Sequence, residues 1–192
     1  MNRRKAILRI SLAGLSITAA AGTAYKWWYL VKTPDIGFLQ SNRGLLAALC
    51  DTIIPATDSP GAQDTGTHDF IIKMIRDCTP RKEQNNFIHG LHDIQNYCQS
   101  KYGQPYQRCS HDQQTAALAY FEEKGKPYSG KLGKVELRLM GRPFFVILKD
   151  YTIQGYCTSQ QGATMGLSYV YIPGSFKSCI PLEPGQKAWA TN

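Results

Sequence analysis

The chain is poor in the signatures of chemistry. Its 192 residues contain neither Gly-x-Gly-x-x-Gly nor Gly-x-x-x-x-Gly-Lys-Ser/Thr, so the common backbone cradles for nucleotide phosphates lack support. Gly-x-Ser-x-Gly is absent as well, which removes the usual serine-hydrolase elbow. No Cys-x-x-Cys, Cys-x-x-Cys-His or four-thiolate cluster occurs, which argues against haem attachment, zinc ribbons and ferredoxin-like clusters. Internal repeats and low-complexity segments are missing. Charged residues amount to only 19%, against 43% hydrophobic. That balance is globular and is neither disordered, collagen-like nor polytopic. At this length one domain with a real core is expected.

One absence is local. No acid occurs in residues 1–24, whereas Arg3, Arg4, Lys5 and Arg9 do. Ile10–Tyr25 follows as an uncharged run of 16 residues, rich in Ala, Leu, Ile and Gly. It is shorter than the roughly 20 residues that cross a bilayer core. A basic start, an apolar stretch and small residues at Ala19-Ala20-Ala21 or Gly22-Thr23-Ala24 describe an export signal over 1–24. The Arg3-Arg4 pair within Asn2-Arg3-Arg4-Lys5-Ala6-Ile7-Leu8 makes it the twin-arginine type, with Ala6 where Phe is common. Such a signal implies passage of folded cargo through the twin-arginine translocon. Two other readings stay open at this level. One is an ordinary secretory signal. The other is an uncleaved anchor, for which Trp27, Trp28 and Tyr29 supply an interfacial belt.

The signal reinterprets the charge. The whole chain carries +8 with a pI near 9.2, a value that invites nucleic acid. Removing residues 1–24 takes away four cations and no acid and leaves +4. The remaining basic residues are scattered rather than clustered, Arg76, Arg81, Lys82, Lys124, Lys126, Lys131 and Lys134 among them. A solvated surface is expected, with no nucleic-acid partner.

All six cysteines, Cys50, Cys78, Cys98, Cys109, Cys157 and Cys179, lie beyond the signal. An even number in an exported chain suggests disulfides, without fixing their pairing. Cys98 and Cys109 are the candidate local pair, because Gly103 and Pro105 between them permit a reversal. Closing such a loop is worth about 3 kcal/mol in the chain-entropy view. Cys50 and Cys157 read instead as small buried apolar residues.

The body reads as all-α, with a linker over 25–42 and a helical domain over 43–192. Asn42 is a cap for a helix over 43–54, with Leu45, Leu46, Leu49 and Ile53 on one face and Pro55 ending it. Further helices are expected from Thr67 or Asp69 to Cys78, from Pro80 to Ser100, and from a Ser110 cap to Lys124. Val135–Leu139 alternates like a strand but has no evident partner strand, so a helix is the better reading. Pro143 opens a helix to Ser159 that is apolar on nearly every side, hence central or set against a partner. Gly162–Tyr169 holds one more short helix, and an irregular, extended strap rich in Pro and Gly follows from Pro173. His89 and His92, three apart on a helix, have the spacing of metal ligands, but no third ligand clearly joins them and a solvated face is expected. No catalytic, cofactor-binding or metal-binding residue is therefore assigned.

Three stretches share one resemblance. Leu49-Cys50-Asp51-Thr52-Ile53-Ile54-Pro55-Ala56-Thr57-Asp58-Ser59-Pro60-Gly61-Ala62 resembles the opening motif of the gluconate 2-dehydrogenase subunit 3 family. Gly155-Tyr156-Cys157-Thr158-Ser159 is similar to its Gly-Tyr-aromatic-Thr-Ser segment, with Cys157 replacing Phe. Tyr171–Gly174, Cys179–Leu182 and Lys187–Ala190 resemble its C-terminal strap. The resemblance spans about residues 40–190. It implies the small, non-catalytic subunit of a membrane-bound dehydrogenase acting on gluconate, glucose, sorbitol or fructose. The implied partners are a flavoprotein large subunit of the glucose–methanol–choline type, which carries FAD, and a multihaem cytochrome c subunit, which carries haem c. The implied location is the periplasm, at the inner membrane through the complex. The implied task is to escort the signal-less large subunit through export. Tyr156, Phe176 and Trp189 are the candidate subunit anchors, since aromatics dominate interface energetics. A free-standing exported enzyme using Cys157 or His89/His92, and a structural envelope protein held by its N-terminal helix, are the competing readings.

Overall fold

The computed structural model describes residues 32–190, apart from 128, 173, 176–178 and 183. The expected signal with Arg3 and Arg4, and the candidate anchor Phe176, lie outside the described residues. Within them the chain is all-α. The helices are α1 (Ile36–Ser41), α2 (Arg43–Ile53), α3 (Thr67–Asp77), α4 (Arg81–Tyr102), α5 (His111–Lys124), α6 (Lys131–Met140) and α7 (Phe144–Thr158). A 3-10 turn at Tyr106–Arg108 joins α4 to α5, and a π turn at Gly162–Gly166 follows α7.

The local signals explain the boundaries. Pro80 and Pro143 each stand just before a helix in extended backbone, where their missing N–H costs nothing. Ser110 Oγ accepts from the Gln113 N–H, and Gln113 Oε1 accepts from the Ser110 N–H, a reciprocal cap on α5. Gly103 closes α4 at φ +71°, a left-handed position that suits glycine. Asn42 stands at the head of α2 as expected but does not cap it. Its Nδ2 donates back to the Phe38 carbonyl instead.

The helix apolar on all sides is the middle of the molecule. α7 packs against α2, α3, α4, α5 and the π turn. Phe144, Ile147, Leu148, Tyr151, Thr152, Gly155 and Tyr156 are all buried. Two glycines set how closely its neighbours come. A Cβ on Gly90 of α4 would stand 2.0 Å from Phe144 Cγ, and one on Gly155 would stand 2.7 Å from Phe70 Cδ1 of α3. Phe144 also meets Phe121 of α5 edge-on, with ring centroids 6.1 Å apart.

One expectation needs adjustment. The linker contains α1, whose six residues are too few to hold a helix by themselves. Asp35 accepts from the Phe38 N–H, Leu39 is fully buried, and Phe38 stacks on His92 at 3.9 Å. Burying one leucine is worth about 1.5–3 kcal/mol, enough to dock so short a helix. The 135–139 segment is helical, as expected despite its strand-like alternation. Its corner into α7 is tied to α4. Asn86 Nδ2 donates to the carbonyls of Met140 and Arg142, and Arg142 Nε donates to Glu83 at 2.9 Å.

Gly90→Ala should therefore lose about 1–3 kcal/mol in urea denaturation, because its methyl group overpacks Phe144. Gly44→Ala on α2, where a Cβ meets nothing within 4 Å, should gain roughly 0.5–1 kcal/mol. Equal effects at the two positions would show that the α4–α7 contact does not limit packing.

Candidate partner-docking face

The π turn is where the core hands over to the strap. Gly162 and Gly166 lie against Tyr156. A Cβ on Gly162 would sit 2.0 Å from the Tyr156 carbonyl oxygen, and one on Gly166 would sit 2.3 Å from its hydroxyl. Tyr156 is thus only 7% exposed, covered by its own chain. The structure places it in the core, beneath the strap's root, and not on the surface as an anchor.

Beyond the turn the chain is hooked to itself. Ser168 and Trp189 form a parallel bridge. The Ser168 N–H donates to the Ala188 carbonyl at 2.8 Å, and the Ala190 N–H donates to the Ser168 carbonyl at 2.9 Å. Lys187 Nζ reaches the Met165 carbonyl at 2.6 Å. Among the described residues, the strap between these points shows its large apolar side chains to solvent. Tyr171 is 83% exposed, Ile172 76% and Leu182 85%, and Met165, Tyr169, Ile180 and Trp189 are about half exposed. A run of large apolar residues held outward is what a soluble protein ordinarily covers. Trp189, unlike Tyr156, is placed where a partner can reach it.

The other sequence candidates disperse. His92 is occupied by its stack on Phe38. His89 lines a cleft of about 310 Å³ between α4, α5, α6 and the start of α7, with Asp93, Lys124 and Glu136. Among the described residues no group of three metal-ligating side chains comes together. Cys50 is fully buried beside Thr152, with its sulfur 3.7 Å from Thr152 Oγ1 and its pKa raised to about 12 by burial. Cys157 is part-buried at the edge of the core. All six cysteines are free thiols in the structure. Cys98 and Cys109 are nevertheless neighbours, both buried in the same core cluster.

One buried group escaped sequence reasoning. His68 Nδ1 is buried without a hydrogen-bond partner. Its other nitrogen lies 3.8 Å from Asp69, which also pairs with Arg43. No spacing in the sequence marks it.

A helical body carrying a fixed but uncovered apolar strap is the form of a protein that works against a partner. The chain belongs to the gluconate 2-dehydrogenase subunit 3 family, whose model matches residues 40–174, more than half of its length. It is a small subunit of such dehydrogenase complexes. No curated protein and no solved structure matches it. The matched region takes in the opening motif, α7 and the root of the strap, and stops before Cys179. Among the described residues no helix is long and apolar enough to cross a membrane.

Burial lowers the pKa of His68 below the ordinary 6.5, with Asp69 opposing and Arg43 adding to the effect. Burial does the same at His89, helped by His92 and Lys32 and opposed by Asp93. The unfolded chain then takes up protons that the folded chain refuses, so stability is full above about pH 6.5 and falls as pH drops below it. Urea midpoints measured from pH 7.5 down to 5.5 should decline, and His68→Gln should flatten the decline. A flat wild-type profile would overturn the assignment.

Proposed function

We propose that this chain is the non-catalytic small subunit of a periplasmic, flavin-dependent dehydrogenase of the gluconate, glucose, sorbitol or fructose type. It docks a folded flavoprotein large subunit and escorts it through twin-arginine export. The observation that carries this reading is the strap: hooked at Ser168–Trp189, yet with the apolar side chains of Tyr169, Val170, Tyr171, Ile172, Ile180 and Leu182 uncovered. A partner surface laid over it would bury that area without first ordering a loose chain. Trp189 and the described strap residues are the proposed anchors, joined by Phe176. Tyr156 acts indirectly, as the support beneath the π turn.

The chemistry belongs to the partners. FAD sits in the large subunit and takes the hydride from the sugar. Haem c sits in the cytochrome subunit, which passes electrons on and holds the assembly at the inner membrane. Arg3 and Arg4 supply the export signal for the pair of proteins. Family membership supports this division of labour.

Trp189→Ala should leave the isolated subunit folded, because the side chain is half exposed, and should cut recovery of the large subunit in co-purification several-fold. Undiminished recovery would sink the strap as the docking element. Replacing Arg3 and Arg4 together by Lys should leave FAD-dependent dehydrogenase activity in the cytoplasmic fraction. Normal periplasmic activity in that double variant would remove the escort role while leaving the docking role to stand or fall separately.

A further inference from the structure

The turn between α4 and α5 is the most heavily tied loop in the body. Gly103 reverses the chain, and its N–H returns to the Gln99 carbonyl at 3.1 Å. Gln95 Oε1 on α4 accepts from the Tyr106 N–H at 3.0 Å, which holds the 3-10 turn against the helix. Tyr106 is fully buried, and its hydroxyl donates to Thr52 Oγ1 of α2 at 2.8 Å. Gln114 of α5 adds a bond to the Tyr106 carbonyl at 3.0 Å. These ties bring Cys109, the residue after the turn, back onto the last turns of α4. Cys98 is fully buried there, Cys109 is 7% exposed, and the two thiols stand close enough for each to bear on the other electrostatically.

We propose that Cys98 and Cys109 are a dithiol–disulfide pair: the structure holds the reduced form, and oxidation joins the two sulfurs in a bond that clasps the α4–α5 turn. The oxidant is a disulfide of a thiol–disulfide exchange protein or of a small thiol. A thiolate of the pair attacks it, its S–S bond breaks, and one half leaves as a thiol. The second cysteine of the pair then displaces the other half, forming Cys98–Cys109. Two protons and two electrons leave the pair, and the oxidant's disulfide becomes two thiols.

The finished core controls when this happens. Burial and the neighbouring sulfur push the Cys98 thiol up to about 12, so the folded protein offers almost no Cys98 thiolate. Cys109 is walled in by the carbonyls of Gln104 and Pro105, 3.9 and 3.6 Å from its sulfur. Oxidation of the folded protein is therefore slow and waits on a local opening of the α4–α5 turn that uncovers the pair. Cys78 and Cys179, both exposed, stay open to reagents throughout. Cys50 also borders Tyr106, but its sulfur is engaged with Thr152 on α7. The inference does not depend on the subunit role.

The test is refolding of the full chain from denaturant in a glutathione redox buffer, followed by alkylation and peptide mapping without reductant. The expected product is a peptide pair linked through Cys98 and Cys109, with Cys78 and Cys179 alkylated. The urea midpoint of this product should exceed that of the reduced protein, and Cys109→Ser should abolish the difference while matching wild type under reducing conditions. Reduced protein that is already folded should form the link at least tenfold more slowly than the refolding chain. Free, alkylated Cys98 and Cys109 after oxidative refolding, or a link from either to Cys50, would overturn the proposal. Equally fast oxidation of the folded protein would overturn its timing.

Discussion

The structure depends on keeping α7 dry. A helix with apolar side chains around most of its circumference cannot rest on the surface, where only one stripe would be covered. Its neighbours must therefore form a sleeve, and α2, α3, α4 and α5 do so. The sleeve closes only where a neighbouring backbone comes very near. Gly90 admits the Phe144 ring to the surface of α4, and Gly155 admits the Phe70 ring to the surface of α7. Thr152, the one polar side chain fully buried on α7, is satisfied within the helix by the Leu148 carbonyl, so the sleeve needs no water.

Much of this was legible beforehand because it is local. Prolines at 80 and 143 marked helix starts, Ser110 marked another, and Gly103 marked an end. The apolar circumference of α7 left two places open, the centre of the fold or a partner's face, and its packing against four helices puts it at the centre. The elements that escaped are those fixed at long range. α1 is too short for a periodic pattern and exists because Leu39 and Phe38 find the core and His92. Tyr156 and Trp189 look alike as aromatic residues in family-like segments. Only the fold of the π turn back over α7 separates the covered ring from the reachable one. The Ser168–Trp189 hook joins distant residues that carry no turn signal in common. His68 was likewise unmarked in the sequence.

The division between core and strap also separates two kinds of stability. The body is sealed by side-chain packing among helices, with polar ties such as Arg142–Glu83 and Asn86–Met140 at its corners and Tyr106–Thr52 inside. The strap has almost no interior of its own and is held by backbone hydrogen bonds at its root. Changes in the body are felt as folding energy. Changes in the strap are felt as a loss of complementarity to whatever lies over it.

The hook at Ser168 and Trp189 turns the strap from a tail into a closed loop. The ends of a closed loop stay put whatever its middle does, and lengthening such a loop is cheap: each doubling adds only about 0.6 kcal/mol of closure entropy. The segment between the two bridge residues can therefore be rewritten, shortened or extended with little disturbance to the helical body. One scaffold of this kind can be fitted to partner surfaces of different shape by editing a single stretch of chain.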